Sequence, residues 1–157
     1  MKCILLGTAY PYRGGLASFN ERLAKEFLAQ GHEFEIFTFT LQYPSILFPG
    51  KTQYSTSPAH GNLRIKRKVN SVNYFNWLKV GKEIKQLAPD LLIIKYWMPF
   101  MAPCLGTITK IAKQNKKTKV VCIADNIIPH ERRFYDNVLT KYFLKQVDGM
   151  IVMSESV

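Results

Sequence analysis

Residues 7–27 read GTAYPYRGGLASFNERLAKEF and place two adjacent glycines between an apolar run and a helical pattern. Before them, residues 2–6 form a short apolar run that predicts a buried strand. After them, apolar side chains recur at helical spacing, at Leu16, Phe19, Leu23 and Phe27. The stretch therefore predicts a strand, a glycine loop and a helix, which is the first unit of a parallel α/β sheet.

Gly14 and Gly15 have two open interpretations. Glycines ahead of a helix let a ligand approach the backbone, and the helix N-terminus supplies free amides that favour a phosphate. Alternatively, the pair only forms a tight turn with positive φ, followed by a capping box of Ser18 and Glu21.

The rest of the chain continues to alternate strands with helices. Further strands are predicted at 34–39, 63–69, 90–94, 119–124 and 149–153, and further helices near 74–88, 101–112 and 135–143, with a long loop at 40–62. We expect residues 1–157 to form a single domain. Its fold class is α/β, with a doubly wound, mostly parallel, Rossmann-like sheet and helices on both faces.

The composition indicates a globular protein with an anionic partner. Hydrophobic residues make up 47% of the chain, and 22 Lys and Arg face 11 Asp and Glu, for a formal charge of +11. Such an excess suits nucleic acid, an acidic membrane surface or phosphorylated substrates, although it also fits a plain basic surface. Two basic runs, at 64–68 and 113–119, are candidates for binding anionic lipid heads.

The three cysteines are widely spaced and have apolar neighbours. Cys3, Cys104 and Cys122 show no metal-ligand spacing, so we expect buried, reduced thiols and a cytoplasmic location. The N-terminal apolar run is too short for a secretory signal, and no stretch approaches the length of a membrane span.

A second candidate loop, ADNIIPHERRFYDN (124–137), follows the predicted fifth strand. It brings Asp125, Asn126, His130 and Glu131 to the carboxyl edge of the sheet, where ligands of such folds bind. Their alternative role is to cap turns and the helix that follows. Tyr96 and Trp97 follow the fourth strand at the same edge and are expected to stack on a sugar or lipid, or else to pack.

Other phosphate and catalytic motifs are not matched. The glycine spacing is not G-x-G-x-x-G, and the second strand ends without the acidic residue that holds a ribose. The segment 50–52, GKT, lacks the first glycine, the strand and the helix of a P-loop. No G-x-S-x-G occurs, and the three histidines are too scattered for a metal site.

Taken together, these stretches resemble the N-terminal half of a family 4 (group 1) glycosyltransferase with the GT-B fold. The similarity spans almost the whole chain and rests on RGGLASFNERLAKEFLAQGHEFEIFTF (13–39), PDLLII (89–94) and DNIIPHE (125–131). It implies that this half binds a glycan or lipid-linked acceptor. It also implies a second half that binds a nucleotide sugar and a retaining, hexosyltransferase-type reaction with no metal and no other cofactor.

The resemblance also assigns residues. Gly14 and Gly15 match the glycine pair that lies against the donor diphosphate. Asp125 stands where the family often has a histidine that touches the donor sugar, and we treat it as the candidate catalytic residue. The remaining candidates for the acceptor cleft are Arg13, Ser18, Tyr96, Trp97, Asn126, His130 and Glu131.

One departure concerns what the chain lacks. No Glu-x₇-Glu motif occurs and no donor-binding domain follows Val157, so the resemblance predicts that the chain alone is inactive. The expected setting is polysaccharide or glycolipid synthesis, peripheral on the inner face of the membrane, without nucleic acid as a partner. The alternative is a stand-alone basic module that binds anions or nucleic acid, although no recognised nucleic-acid motif is present.

Overall fold

Strands and helices alternate along the chain. The structure, a computed structural model, describes residues 1–46, 53–56, 61–125 and 135–153. The strands are β1 (Lys2–Leu6), β2 (Glu33–Leu41), β3 (Arg64–Asn70), β4 (Leu91–Tyr96), β5 (Lys119–Ala124) and β6 (Gly149–Val152). The helices are α1 (Gly15–Ala29), α2 (Tyr74–Leu87), α3 (Ala102–Ala112) and α4 (Asp136–Leu144), with short 3₁₀ turns at Pro99–Met101 and Lys113–Asn115.

All six strands form one parallel sheet. Their order is β3-β2-β1-β4-β5-β6, and Leu5 of β1 pairs with Ile36 on one side and Ile93 on the other. The direction of winding reverses between β1 and β4, so this pair marks the switch point where such sheets bind ligands. The predicted doubly wound, Rossmann-like fold is confirmed.

Helices cover both faces of the sheet, but unequally. On one face, α1 packs its apolar side on a cluster that includes Cys3, Leu5 and Phe34. On the other face, α2, α3 and α4 enclose a larger core that includes Phe37 and Ile94. The all-apolar interior of β1, from Cys3 to Leu6, follows from this double cover, because both faces of the strand are removed from water.

Two strands are longer than the sequence predicts. β2 continues through Leu41, which shortens the loop expected at 40–62, and β4 continues through Lys95 and Tyr96. In both cases the sheet overrides a local signal. Tyr96 still pairs with Ala124 of β5, even though the charge of Lys95 favoured an earlier end to the strand.

The predicted capping box at the start of α1 is wrong. The N-cap is Gly14, which makes no side-chain cap, and Ser18 lies inside the helix, where its N–H donates to the carbonyl of Gly14. Glu21 instead turns toward the preceding loop, where one carboxylate oxygen accepts the N–H of Tyr10 at 2.8 Å. Glu21 thus anchors the loop and does not cap the helix.

Candidate functional site

The carboxyl ends of β1, β4 and β5 meet at the switch point and carry most of the predicted site that the structure describes. β1 leads through Gly7 into the glycine loop, β4 ends in Lys95 and Tyr96, and β5 leads into Asp125. Gly7 permits the close approach of these elements. A Cβ at this position would lie 2.9 Å from Nδ2 of Asn20 and 3.0 Å from Cβ of Lys95.

The two glycines differ in conformation. Gly14 has φ 112° and ψ −179°, a backbone region that is essentially restricted to glycine. Gly15 begins α1, so the positive φ that the turn interpretation required falls on Gly14 and not on Gly15. A Cβ added to either glycine would have no atom of the described residues within 4 Å, so the space above both glycines is open. The first-turn amides of α1 have no intrahelical acceptor and lie at the positive end of its dipole.

Buried polar side chains hold the loop between β1 and the glycines. Nδ2 of Asn20 donates to the carbonyl of Thr8 at 2.8 Å, and the N–H of Ala9 donates to Oγ1 of Thr38 at 3.0 Å. With Glu21 bound to the N–H of Tyr10, three consecutive loop residues are fixed from two elements. Because buried polar groups are costly to leave unpaired, these bonds give the loop one shape.

A short segment, Gln53 and Tyr54, lies beside the glycine loop, and we call it the wall. Tyr54 makes an isolated antiparallel bridge with Tyr12, and the N–H of Arg13 donates to the carbonyl of Gln53 at 3.0 Å. The guanidinium of Arg67 lies about 6 Å from both tyrosine ring centroids, 6.0 Å for Tyr12 and 5.7 Å for Tyr54. The wall therefore fixes the backbone of Arg13, whose exposed side chain adds a positive charge next to Gly14.

Lys95 and Asp125 form an ion pair at the carboxyl ends of β4 and β5. Nζ of Lys95 lies 2.7 Å from Oδ1 of Asp125 and 3.9 Å from the ring centroid of Phe19. The lysine side chain is 1% exposed, whereas the aspartate side chain is 31% exposed. The pair thus has a buried cation and a carboxylate at the surface of the site. Since a buried ammonium needs a partner, Lys95 fixes the position of Asp125.

Cys122 of β5 and Cys104 of α3 are buried free cysteines. Burial raises the pKa of the Cys122 thiol to about 12, although the positive charge of Lys95 opposes this. Burial also raises the pKa of Cys104 well above its ordinary value. Both thiols are neutral at physiological pH, as expected of the buried free cysteines that the sequence predicts.

Tyr96 is a core residue, and its predicted place at the rim is wrong. It is fully buried, its ring stacks on Phe143 at 4.8 Å between centroids, and its hydroxyl bonds to Oγ1 of Thr140 at 2.9 Å. Burial raises its pKa to about 12. Side chains alternate along a strand, so Tyr96 points to the face opposite Lys95. Trp97 is half-buried, contacts Phe39 edge-on, and donates Nε1–H to the hydroxyl of Tyr43.

The remaining predicted residues divide into two groups. Arg13, Gly14, Gly15 and Ser18 are exposed along one turn, near Asp125 at the carboxyl edge of the sheet. Asn126, His130 and Glu131 lie outside the described residues. Among the described residues, no three His, Cys, Asp or Glu side chains group as metal ligands would. Within the same ranges, no helix combines the length and hydropathy that crossing a bilayer requires.

The sequence did not assign Lys95, Asn20 or Glu21 to the site, although Glu21 was interpreted as part of a capping box. Each carries a recognisable signal. Lys95 follows four apolar strand residues, Leu91–Ile94, with no turn signal between them. Asn20 and Glu21 lie next to the apolar stripe of α1. Polar residues at positions that the fold buries are candidates for holding a loop or a ligand.

The sequence matches one known family. Residues 13–157 match the family described as Glycosyltransferase Family 4, in agreement with the resemblance found in the sequence.

Solved structures similar to this chain share its fold. An α-glucosyltransferase in complex with UDP and a 13-mer DNA with a central A:G mismatch has a TM-score of 0.62 and 14% identity, over 98% of this chain and 37% of that one. The UDP-GlcNAc 2-epimerase from Methanocaldococcus jannaschii has a TM-score of 0.57 and 12% identity, over 99% and 40%. The TrkA-N domain of the inner membrane protein ybaL from Escherichia coli has a TM-score of 0.52 and 13% identity, over 97% and 87%. The chain therefore spans less than half of the glucosyltransferase and of the epimerase.

Proposed function

Because this chain belongs to glycosyltransferase family 4, we propose that it is the acceptor-binding half of a retaining enzyme that moves a hexose from a nucleotide sugar to a glycan or lipid-linked acceptor. A second, donor-binding domain completes the active site in this proposal. The 157-residue chain alone is then inactive, and the reaction uses no metal or other cofactor.

The observation that carries the proposal is the open glycine pair at the N-terminus of α1. The backbone of Gly14 and Gly15 leaves space for a diphosphate. The N–H groups in the first turn of α1 are then available to donate hydrogen bonds to that diphosphate. Arg13 adds an exposed positive charge beside the same turn. The polar bonds from Asn20, Glu21 and Thr38 keep the loop in this shape before the donor arrives.

Asp125 contacts the donor sugar in this proposal. One carboxylate oxygen is held by Lys95, and the exposed part of the side chain faces the carboxyl edge of the sheet. An ionised carboxylate accepts hydrogen bonds from sugar hydroxyls, and a fixed one selects the orientation of the ring. Lys95 is a positioning residue, since its own side chain is buried and acts through Asp125.

The acceptor side of the proposal rests on charge. The formal charge of +11 suits a lipid-linked sugar diphosphate at the inner face of a membrane, within polysaccharide or glycolipid synthesis. Two α-glucosyltransferase structures that are similar to this chain contain DNA. They do not support the expectation that nucleic acid is not a partner. The family match favours a transferase over the alternative of a stand-alone anion- or nucleic-acid-binding module. A DNA duplex therefore belongs among the acceptors tested.

The test is a valine at Gly15 in the full-length protein. Gly15 is helical and a Cβ there meets no atom within 4 Å, so the fold should tolerate the change while the side chain blocks the diphosphate. Lost charge-assisted hydrogen bonds are worth about 1.5–3 kcal/mol each, so transfer should fall roughly tenfold or more. The same change at Gly61, which also faces open space, is the control.

Three measurements decide the outcome. The rate of transfer from a radiolabelled nucleotide sugar and the melting temperature are both measured for Gly15→Val and for Gly61→Val. Full activity of Gly15→Val at an unchanged melting temperature would make the glycines architectural only. Turnover by the 157-residue chain alone, above a blank without enzyme, would overturn the two-domain part of the proposal.

A further inference from the structure

Three large apolar side chains are exposed together where β3 passes into α2. Val72 is 49% exposed, Tyr74 is 55% exposed and Phe75 is 80% exposed. We call these residues the aromatic turn. Single exposed apolar side chains are common on proteins, but a cluster of large ones marks an interaction site.

The aromatic turn is rigid. Asn73 caps α2 by accepting the N–H of Asn76 at 3.1 Å, and Asn76 accepts the N–H of Asn70 at 2.8 Å while donating to the carbonyl of Lys68 at 2.8 Å. Trp77 donates its ring N–H to the carbonyl of Asn70 at 2.7 Å. The ring of Tyr74 also lies edge-on to Phe75 and Trp77, at 6.2 and 5.8 Å between centroids. These contacts fix the turn while Val72, Tyr74 and Phe75 stay exposed.

Positive charge continues from the aromatic turn along the outer face of α2. Phe75, Lys79 and Lys82 are spaced four and three residues apart, so they lie on one side of the helix, and all three are exposed. Neither Lys79 nor Lys82 has a salt bridge or hydrogen bond among the described residues.

A pocket of about 270 Å³ lies next to this helix face. It is lined by Arg67, Lys68, Asn76, Lys79, Val80 and Glu83. The carboxylate of Glu83 pairs with Lys68, and Arg67 donates to the carbonyls of Phe39 and Thr40. The charges that line the pocket therefore leave a net positive site with Lys79 at its edge.

We propose that the aromatic turn, Lys79, Lys82 and this pocket form a docking surface for an anionic lipid bilayer. The aromatic turn enters the interface between headgroups and acyl chains, while the lysines and the pocket receive lipid phosphates. Exposed aromatic side chains bordered by lysines are the chemistry that binds such an interface.

The position of the surface connects it with the proposed function, on which its role rests. α2 begins at the carboxyl end of β3, and the glycine pair lies at the carboxyl end of β1, so both occupy the same edge of the sheet. A protein docked by this surface holds the opening of the site beside the membrane, where a lipid-linked acceptor would be presented.

The test measures partition of the 157-residue chain onto vesicles by co-sedimentation. Vesicles of phosphatidylglycerol and phosphatidylcholine in equal parts are compared with pure phosphatidylcholine. Binding is expected to the anionic vesicles only. Tyr74→Ser combined with Phe75→Ser should reduce the partition coefficient roughly tenfold or more, as the loss of two interfacial aromatic side chains implies.

A pair of charge variants separates a defined surface from general attraction. Lys79→Glu with Lys82→Glu should lower binding roughly tenfold or more, since each surface lysine contributes to attraction by anionic lipids. The control is Lys110→Glu with Lys141→Glu, which changes the net charge by the same amount. These exposed lysines lie on α3 and α4 and not on the proposed surface, so this variant should bind within about threefold of the parent chain.

The outcomes are distinct from those of the transfer assay. Equal loss in both charge variants would overturn the docking surface in favour of general charge attraction, as would unchanged binding after removal of the aromatic side chains. Failure of the parent chain to sediment with anionic vesicles would also overturn it and leave the aromatic turn as a contact for another protein. Vesicle binding through this surface, together with no sugar transfer by the full-length protein, would instead leave docking intact and overturn the proposed function.

Discussion

At the scale of single residues, Lys95 shows how tertiary contacts reverse a local preference. The sequence predicted the fourth strand to end with its apolar run at Ile94, one residue before this lysine. In the fold, the ammonium meets the carboxylate of Asp125 and the face of Phe19, which replace the water it loses. Neither partner is near in sequence, so the pair cannot be read from local pattern, although Asp125 itself could be placed at this edge of the sheet.

Removing the two members of the pair should have unequal effects. Asp125→Asn leaves a buried ammonium without its counter-charge and should lower the free energy of unfolding by about 3–5 kcal/mol. Lys95→Met leaves a carboxylate that is already partly hydrated and keeps the apolar stem, so the loss should be about 1 kcal/mol. Urea denaturation of both variants and of the double variant measures this. The double variant should be more stable than Asp125→Asn, and equal stability of the two would show that the ammonium is solvated.

At the scale of elements, glycines set the distance between the helices on the larger face. A Cβ at Gly81 of α2 would lie 2.8 Å from Cβ of Ile111 in α3, and one at Gly106 of α3 would lie 2.6 Å from the ring of Tyr142 in α4. The sequence showed where these helices run, because apolar spacing is a local signal. It did not show why a glycine stands in mid-helix, since that depends on which helices become neighbours.

A methyl group at Gly81 tests this packing against its own helix preference. Alanine favours a helix by roughly 0.8–1.0 kcal/mol over glycine, but overpacking costs about 1–3 kcal/mol, and here the obstructing atoms include the backbone carbonyl of Ile108. Gly81→Ala should therefore lower the free energy of unfolding. Gly15→Ala, which faces open space in α1, is the matched control and should be neutral or stabilising. A stabilised Gly81→Ala protein would mean that the helices separate freely.

The starts of the strands are tied together by two aspartates at the edge opposite the candidate site. Asp148, ahead of β6, accepts the N–H of Val120 in β5 at 2.8 Å and pairs with Lys113 after α3 at 2.7 Å. Asp90, ahead of β4, accepts the N–H of Lys2 in β1 at 2.8 Å. Burial opposes ionisation of Asp148, but these donors outweigh it and lower its pKa, and the N–H of Lys2 lowers the pKa of Asp90.

Acid should weaken these ties. Because the pKa of Asp148 is lower in the folded chain than in the unfolded chain, its contribution to stability is complete above the unfolded value near 4. It disappears as the pH falls through the folded value. Asp148→Asn should lower the melting temperature at pH 7 by roughly 2–4 °C for a loss of about 1 kcal/mol. The difference from the parent chain should shrink as the pH falls below the unfolded value and through the lower folded value. A difference that is independent of pH would show that the carboxylate charge plays no part.

At the scale of the whole molecule, the fold followed from the sequence more completely than the site did. Alternating strand and helix patterns, joined by the rule for parallel crossovers, were enough to predict the doubly wound sheet. Predicting the site would have required knowing which side of each strand faces which helix. Tyr96 was placed at the rim for this reason, although its neighbour Lys95 is the residue that faces Asp125.

The same scale includes the edges of the sheet, where the two end strands differ. β3 carries Arg64, Lys66 and Arg67, which discourage pairing with another chain. β6 carries Ile151 and Val152, each about half exposed (52% and 46%), and borders no further strand within the described residues. An exposed apolar edge strand is a template for pairing, so the 157-residue chain should self-associate through β6.

A lysine at Ile151 tests this edge. The change adds a charge where a second strand would pair, and it should shift sedimentation-velocity profiles toward the monomer at concentrations where the parent chain associates. Val138→Lys is the control, because Val138 is also apolar and exposed but lies on α4, where the backbone N–H and C=O groups are paired within the helix. Both variants gain one positive charge, so any difference between them reports the strand edge and not general repulsion. Self-association that persists in Ile151→Lys but disappears in Val138→Lys would place the contact on the helix face instead.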